Sequence, residues 1–363
     1  MDRPRVRSRE GTQELVLPSW AAALSEDWLG QWAMNQMLIN VSTRKFRRSV
    51  RLPGGDVGSL KGDGTSKSAV SRKFVALSGA KLKQWLASDL STLDLLAIQI
   101  DGLQVSEDLI LVGAVGIDAA GEKHPLGLVE GATENAATVQ ALLDNLVERG
   151  LDPAVVRLFI IDGAKALSKA IRRTFGRDTP LQRCQVHKAR NITERLPKPL
   201  HITERLPKPL HASVRKTLRQ AWELDDAAKA EHLVRNLVRN LARRLETDWP
   251  GISAPTLEGL DEILCVVRLG LPKDLRRSLA CTNLIENMNG TIRQVTRNVK
   301  RWQNASMALR WTAAGMMEAK KGFRRLKAYK QLPKLRDALR ARQAARSATG
   351  ANASGLADIS TAA

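Results

Sequence analysis

The chain has 363 residues, 43% of them hydrophobic and 26% charged, a balance that suits a folded protein and excludes a disordered or fibrous one. Lys and Arg number 58 against 37 Asp and Glu, and the resulting net charge of +21 points to a polyanionic partner, most simply nucleic acid. Aromatics are only 4%, too few for a basic helix anchored in an anionic membrane surface, and no apolar run reaches the roughly 20 residues that span a bilayer. The start, MDRPRVRSREGTQ, has no apolar core behind its basic residues, so no secretory leader is expected. Cys184, Cys265 and Cys281 are few and far apart, as in a reducing compartment. A cytoplasmic, nucleoid-associated protein is expected.

Residues 1–90 read as helical and basic. Trp20, Trp28, Trp32 and Met37 recur at helix-like spacing and predict a packing face. Ser42 and Ser66 are candidate caps for two helices separated by a glycine-rich turn. Residues of about 41–87 therefore predict a helix-turn-helix-like DNA-binding segment. On its second helix Val70, Phe74 and Leu77 form an apolar stripe, while Lys67, Ser68, Ser71 and Arg72 lie off it and are candidate DNA contacts.

Residues 91–188 change character. LLAIQID, DLILVGAVGID and HPLGLVEG read as three consecutive strands, followed by a helix ending at Gly150. VVRLFIID predicts a fourth strand, then a helix ending at Gly176, then LQRCQVH a fifth strand. This order predicts an α/β fold, a ribonuclease-H-like mixed sheet with helices on both faces. Residues 189–281 read as a large helical insertion, 282–340 as a catalytic helix with basic C-terminal helices, and 341–363 as a disordered tail. ITERLPKPLH occurs at 192–201 and again at 202–211. A decapeptide is too short to be a packing unit, so the extra copy is expected to bulge as a loop.

Three carboxylates stand out. Asp101 and Asp162 each end an apolar strand directly before a glycine, and the strands that carry them adjoin in the predicted sheet. An Asp-Gly at a strand end is also an ordinary turn signal. In TNLIENMNGTIRQVTRNVKRW, Ile285, Met288, Ile292, Val295, Val299 and Trp302 form a buried stripe. Glu286 lies one residue off it, on a face continued by Asn289, Arg293, Arg297 and Lys300. One carboxylate followed by a basic ladder suits a helix that brings an acid to a metal and cations to a phosphate backbone. Phosphodiester chemistry wants two divalent ions about 3.5–4 Å apart. Oxygen ligands suit Mg²⁺, with Mn²⁺ able to substitute.

The IDGL, IIDGA, CQVHKARN and TNLIEN segments, in that order, resemble the Mutator-type bacterial insertion-sequence transposases, and the resemblance runs from about residue 16 to residue 335. It implies a DDE catalytic core with Asp101, Asp162 and Glu286 as catalytic triad and metal ligands. It also implies cleavage at the ends of a mobile DNA element, transfer of the 3′-hydroxyl ends into target DNA, and recognition of terminal inverted repeats by the N-terminal region. A homodimer or larger assembly on double-stranded DNA would hold both ends. Cys184 and His187 match the family's Cys-x-x-His signature, and Arg293 its basic residue seven positions after the glutamate. The family has the decapeptide once. Cys184 and His187 could supply half a zinc site, but no second half is evident where four ligands are usual, so zinc is not expected and a structural pair is favoured. The alternatives are a nuclease or resolvase of the same fold without strand transfer, and an inactive copy that only binds DNA.

Overall fold

The apolar runs between residues 95 and 130 fold as a meander because each is long enough to be buried on both faces or backed by a neighbour. The structure, a computed structural model, describes residues 6–7, 14–15, 28–44, 66–106, 109–133, 135–195, 208–245 and 258–360. In chain order these begin with β1 (Val6–Arg7), β2 (Glu14–Leu15), α1 (Trp28–Leu38) and α2 (Lys67–Leu86). The sheet region follows as β3 (Leu95–Ser106), β4 (Leu109–Asp118), β5 (Lys123–Glu130), α3 (Ala136–Glu148), β6 (Leu158–Ile161), α4 (Lys165–Phe175) and β7 (Leu181–Arg183). Helices α5 (Gln185–Arg195), α6 (Lys208–Glu223), α7 (Ala227–Leu245), α8 (Leu260–Ile263), α9 (Cys265–Arg268) and α10 (Lys273–Leu279) come next. The chain closes with α11 (Asn283–Thr296), α12 (Ala305–Lys321), a 3-10 turn (Tyr329–Gln331) and α13 (Leu332–Ser360).

Two compact units emerge, residues 1–87 with 290–319 and residues 88–289 with 320–363, so the segment 282–340 is divided between them. In the first, the Ser66 side chain caps α2 by accepting from Ala69 N–H at 3.2 Å, as the sequence suggested. Met34, Leu38, Phe74, Val295, Trp311 and Ala314 form its core, with the Phe74 and Trp311 rings 4.4 Å apart. Trp32 does not join a packing face as expected: it is 47% exposed, because Ala33, Met34 and Leu38 take the inward positions of α1. Trp20, the side chain of Trp28 and most of the helix proposed after Ser42 lie outside the described residues.

The second unit is built on a mixed five-stranded sheet in the order β5-β4-β3-β6-β7. Strands β3, β4 and β5 pair antiparallel, and β6 and β7 run parallel to β3. Parallel pairing needs crossovers, which α3 and α4 supply. Asn135 caps α3 through Ala137 and Thr138 N–H, and α3 and α4 end beside Gly150 (φ +95°) and Gly176 (φ +102°), left-handed positions that favour glycine. Ile98, Ile100, Phe159 and Ile161 pack against Leu142, Leu146, Leu167 and Phe175 of these helices. Side chains alternate along a strand, so Gln99 and Asp101 point to the opposite face.

Four sequence expectations need correction here. Asp101 is not at a strand end: β3 continues to Ser106 against β4, and only its partner β6 stops, at the Ile100–Ile161 pairing. The fifth strand ends at Arg183 and a helix begins at Gln185, placing His187 on a helix. Helix α11 ends at Thr296, so the ladder keeps Arg293 on the helix but leaves Arg297 and Lys300 beyond it. Helix α13 runs to Ser360 through the segment composition marked as a tail, where Ala341, Ala344, Ala345 and Ala348 favour helix.

The described residues of this segment are largely helical, and Ile192, Val214, Leu218, Val234 and Leu264 form a core among them. The second copy of the decapeptide enters the first turn of α6 with Pro209, where a proline is tolerated, while residues 196–207, including the expected bulge, lie outside the described residues. Among the described residues no helix is long and apolar enough to cross a membrane.

Candidate active site

The site forms where β6 stops at its Ile100–Ile161 pairing while β3 continues past Asp101. Asp101 is 6% exposed, and its Oδ1 accepts from Gly102 N–H at 2.8 Å. Burial pushes its carboxyl up to about 6, and Asp162 adds to that; the nearby Thr282 hydroxyl, His187 and the Gly102 N–H pull the other way. Asp162 directly follows β6 and is half-buried. Its Oδ2 accepts from Thr133 Oγ1 at 2.9 Å and its Oδ1 from Ala164 N–H at 2.9 Å.

Glu286 arrives on the first turn of α11, which starts because Thr282 O accepts from the N–H groups of Ile285 and Glu286. The predicted stripe holds, with Ile285, Met288, Ile292 and Val295 buried and Glu286 exposed beside it. His187 Nε2 lies 3.4 Å from Glu286 Oε1. Asp101, His187 and Glu286 each present a ligand atom within 4.8 Å of the other two. Asp162 is not part of that group, being turned onto Thr133 and Ala164.

His187 is the residue whose place the sequence did not give. Cys184 precedes α5 and is fully buried, and the Cys-x-x-His spacing sets the histidine one turn in, over the thiol. Burial alone would raise the Cys184 thiol, yet the His187 ring, the His187 N–H and the Thr282 N–H (3.5 Å from Sγ) bring it below its ordinary value. The thiol in turn drives the His187 ring up to about 9 against the opposing effect of burial, with Asp101 and Glu286 contributing. The imidazolium form is thereby favoured beside Asp101 and Glu286. All three cysteines are free and buried.

Thr133 and Thr282 also went unnoticed, because a lone threonine in a loop carries no pattern. The other candidates lie apart. Lys67, Ser68, Ser71 and Arg72 are exposed on α2, and Arg293, Arg297 and Lys300 are exposed in the same unit as α2. A second cluster, Asp118, Glu122 and His124, braces the β4–β5 turn: Asp118 meets His124 Nε2 at 2.8 Å and Glu122 N–H at 2.8 Å.

Gly163, at φ +105°, lets Arg183 lie across the turn after Asp162; an added Cβ would sit 2.0 Å from Arg183 Nε. Gly163→Ala should therefore cost about 1–3 kcal/mol in urea unfolding from backbone strain alone. An unchanged unfolding midpoint would show that the turn relaxes freely.

Residues 40–325 match the family described as Transposase, Mutator family, most of the chain. The chain belongs to the Mutator family of transposases. This Mutator-family chain is 29% identical over 244 residues to the transposase for insertion sequence element IS6120 of Mycolicibacterium smegmatis, covering 66% of this chain and 69% of the relative. It is 27% identical over 297 residues to the transposase for insertion sequence element IS256 in transposon Tn4001 of Staphylococcus aureus, covering 79% of this chain and 69% of the relative. A third relative, the transposase for insertion sequence element IST2 of Acidithiobacillus ferrooxidans, is 28% identical over 192 residues, 53% of this chain and 59% of its own.

Proposed function

We propose that this Mutator-family transposase is a DDE enzyme with a ribonuclease-H-like core, which cleaves DNA at the ends of a mobile element and joins the 3′-hydroxyl ends to target DNA. The observation that carries this reading is the meeting of Asp101 and Glu286, remote in sequence, within 4.8 Å around His187. The antiparallel meander extended by two parallel strands supports the fold assignment.

The donor set fits a hard divalent cation, since carboxylate oxygens of Asp101 and Glu286 meet within 4.8 Å and Asp101 is desolvated. A pair of Mg²⁺ or Mn²⁺ ions would lower the pKa of the attacking hydroxyl group and offset charge on the attacking and leaving oxygens. Asp101, Asp162 and Glu286 would hold the ions. Thr133 and the Ala164 N–H hold the Asp162 carboxylate outside the group formed by Asp101, His187 and Glu286, so Asp162 would reach an ion by a turn of its side chain. His187, whose Nε2 lies 3.4 Å from Glu286 Oε1, would orient Glu286. Arg293, Arg297 and Lys300 would contact phosphates. Lys67, Ser68, Ser71 and Arg72 would meet the terminal inverted repeat, with two copies of the chain bringing both ends together on DNA.

The test is end cleavage by the full chain on linear DNA carrying the element termini, with Mg²⁺, Mn²⁺ or chelator. Metal-dependent 3′-hydroxyl ends that become joined to a second duplex are expected. Cleavage that survives chelation would sink the metal assignment. Ends that are cut and never joined would favour a nuclease, and metal-independent binding with no cleavage an inactive copy.

A further inference from the structure

Two residues before Asp101, and on the same face of β3, the Gln99 side chain is 1% exposed. Its Nε2 donates to Cys281 O at 3.1 Å, which fixes the orientation of the amide. Its Oε1 is then a buried acceptor with no donor. Left unmet, such an atom costs about 1–3 kcal/mol, so it favours any donor group that enters beside it.

Gln99 lines a cleft of about 850 Å³, within the range that holds a molecule of nucleotide size. Asn283 and Asn287, flanking Glu286 on α11, line it together with Lys123, Tyr329 and Gln331. Gln331 Oε1 is a second buried acceptor without a donor. Lys123 is half-buried, and burial holds its amine below the ordinary value. Neither it nor the lining residues Lys327 and Lys330 has a carboxylate partner among the described residues, whereas Asp274, the acid of the lining, faces Arg277. The cleft thus combines deep acceptors, wall amides, an aromatic ring and unpaired cations.

We propose that this cleft takes one nucleotide of the DNA strand, unstacked from its neighbours. Its base enters edge-first, so that a Watson–Crick N–H meets Gln99 Oε1, and its phosphate lies on Lys123 and the rim lysines. A paired base could not reach the floor, because its donors are already engaged and its edge is covered. Asn283 and Asn287 place the cleft beside the acid of α11, so the captured nucleotide belongs near the cleaved phosphate. This inference rests on the DNA-cleaving reading above.

The probe is element-end DNA carrying 2-aminopurine at successive positions around the cleavage site, bound to the full chain in Ca²⁺. Fluorescence should rise several-fold at one position only, and the rise should be lost in Gln99→Met and in Lys123→Met, with circular dichroism confirming that both variants fold. Bound DNA with no bright position, or a bright position that persists in both folded variants, would overturn the cleft and leave the transposase reading intact. No binding of end DNA would remove both. Equilibrium dialysis with free dAMP separates the sources: free nucleotide binding tighter than the strand, and lost in Gln99→Met, would make this a mononucleotide site instead.

Discussion

Asp101→Asn is expected to lower metal-dependent end cleavage by roughly 10³-fold or more while making the metal-free protein more stable. The loss follows from removing the charged oxygen central to the cation site. The gain follows from the cost of burying that charge. Asp101 titrates at about 6 in the fold against an ordinary 3.8. Its folded-state value is raised, so the fold carries no penalty below pH 3.8 and loses stability as pH rises through about 6. The loss amounts to about 3 kcal/mol at full ionisation. Asparagine has no such titration. In chelator at pH 8 the variant should therefore resist urea better than the parent, and the difference should vanish near pH 3.8. Chemical denaturation across that range, paired with cleavage assays at pH 8, checks both halves. Cleavage that persists would remove Asp101 from the chemistry, and a destabilised variant would mean the carboxylate is a structural anchor.

His187→Ala is the second large effect. Without the imidazolium, Asp101 and Glu286 face each other unbalanced, and Glu286 loses the neighbour 3.4 Å away that orients it. Residues that orient metal ligands typically contribute 10–100-fold to metal affinity or activity, and a loss of that order in end cleavage is expected. The pH dependence separates this role from simple packing. His187 is raised to about 9, so its stabilising contribution is complete below pH 6.5 and disappears as pH climbs through about 9. Cys184, shifted the opposite way, trims that loss. In chelator the parent should exceed His187→Ala at pH 6 and lose most of that lead by pH 10. A lead independent of pH would assign His187 to packing alone.

Much of this was legible in the sequence, for identifiable reasons. The apolar runs ending at Asp101, Asp118 and Asp162 gave the strands, since continuous burial leaves little choice of conformation. Gly150 and Gly176 marked helix ends through left-handed backbone. Glu286 stood out because the stripe from Ile285 to Val295 made its exposure conspicuous. What escaped was decided by contacts between remote segments. The conversion of Gln185–Arg195 to helix depends on how the chain leaves β7, not on local periodicity. Without that helix the approach of His187 to Glu286 is invisible, and Cys-x-x-His reads as half of a zinc site. Thr133 and Gln99 gain their meaning only from partners supplied by other elements. Arg297 and Lys300 were assigned to a helix that stops earlier, at Thr296.

The segment between His187 and Glu286 leaves and returns at one spot. Gln185 N–H donates to Ala280 O at 2.9 Å, and the Thr282 N–H meets Cys184 Sγ at 3.5 Å. The excursion is therefore clamped at its neck, and its length is decoupled from the geometry of the acids. Lengthening so long a closed excursion by ten residues adds only about a tenth of a kcal/mol in closure entropy. A tandem decapeptide inside it can thus be gained or lost in the gene while the residues at the neck stay in register.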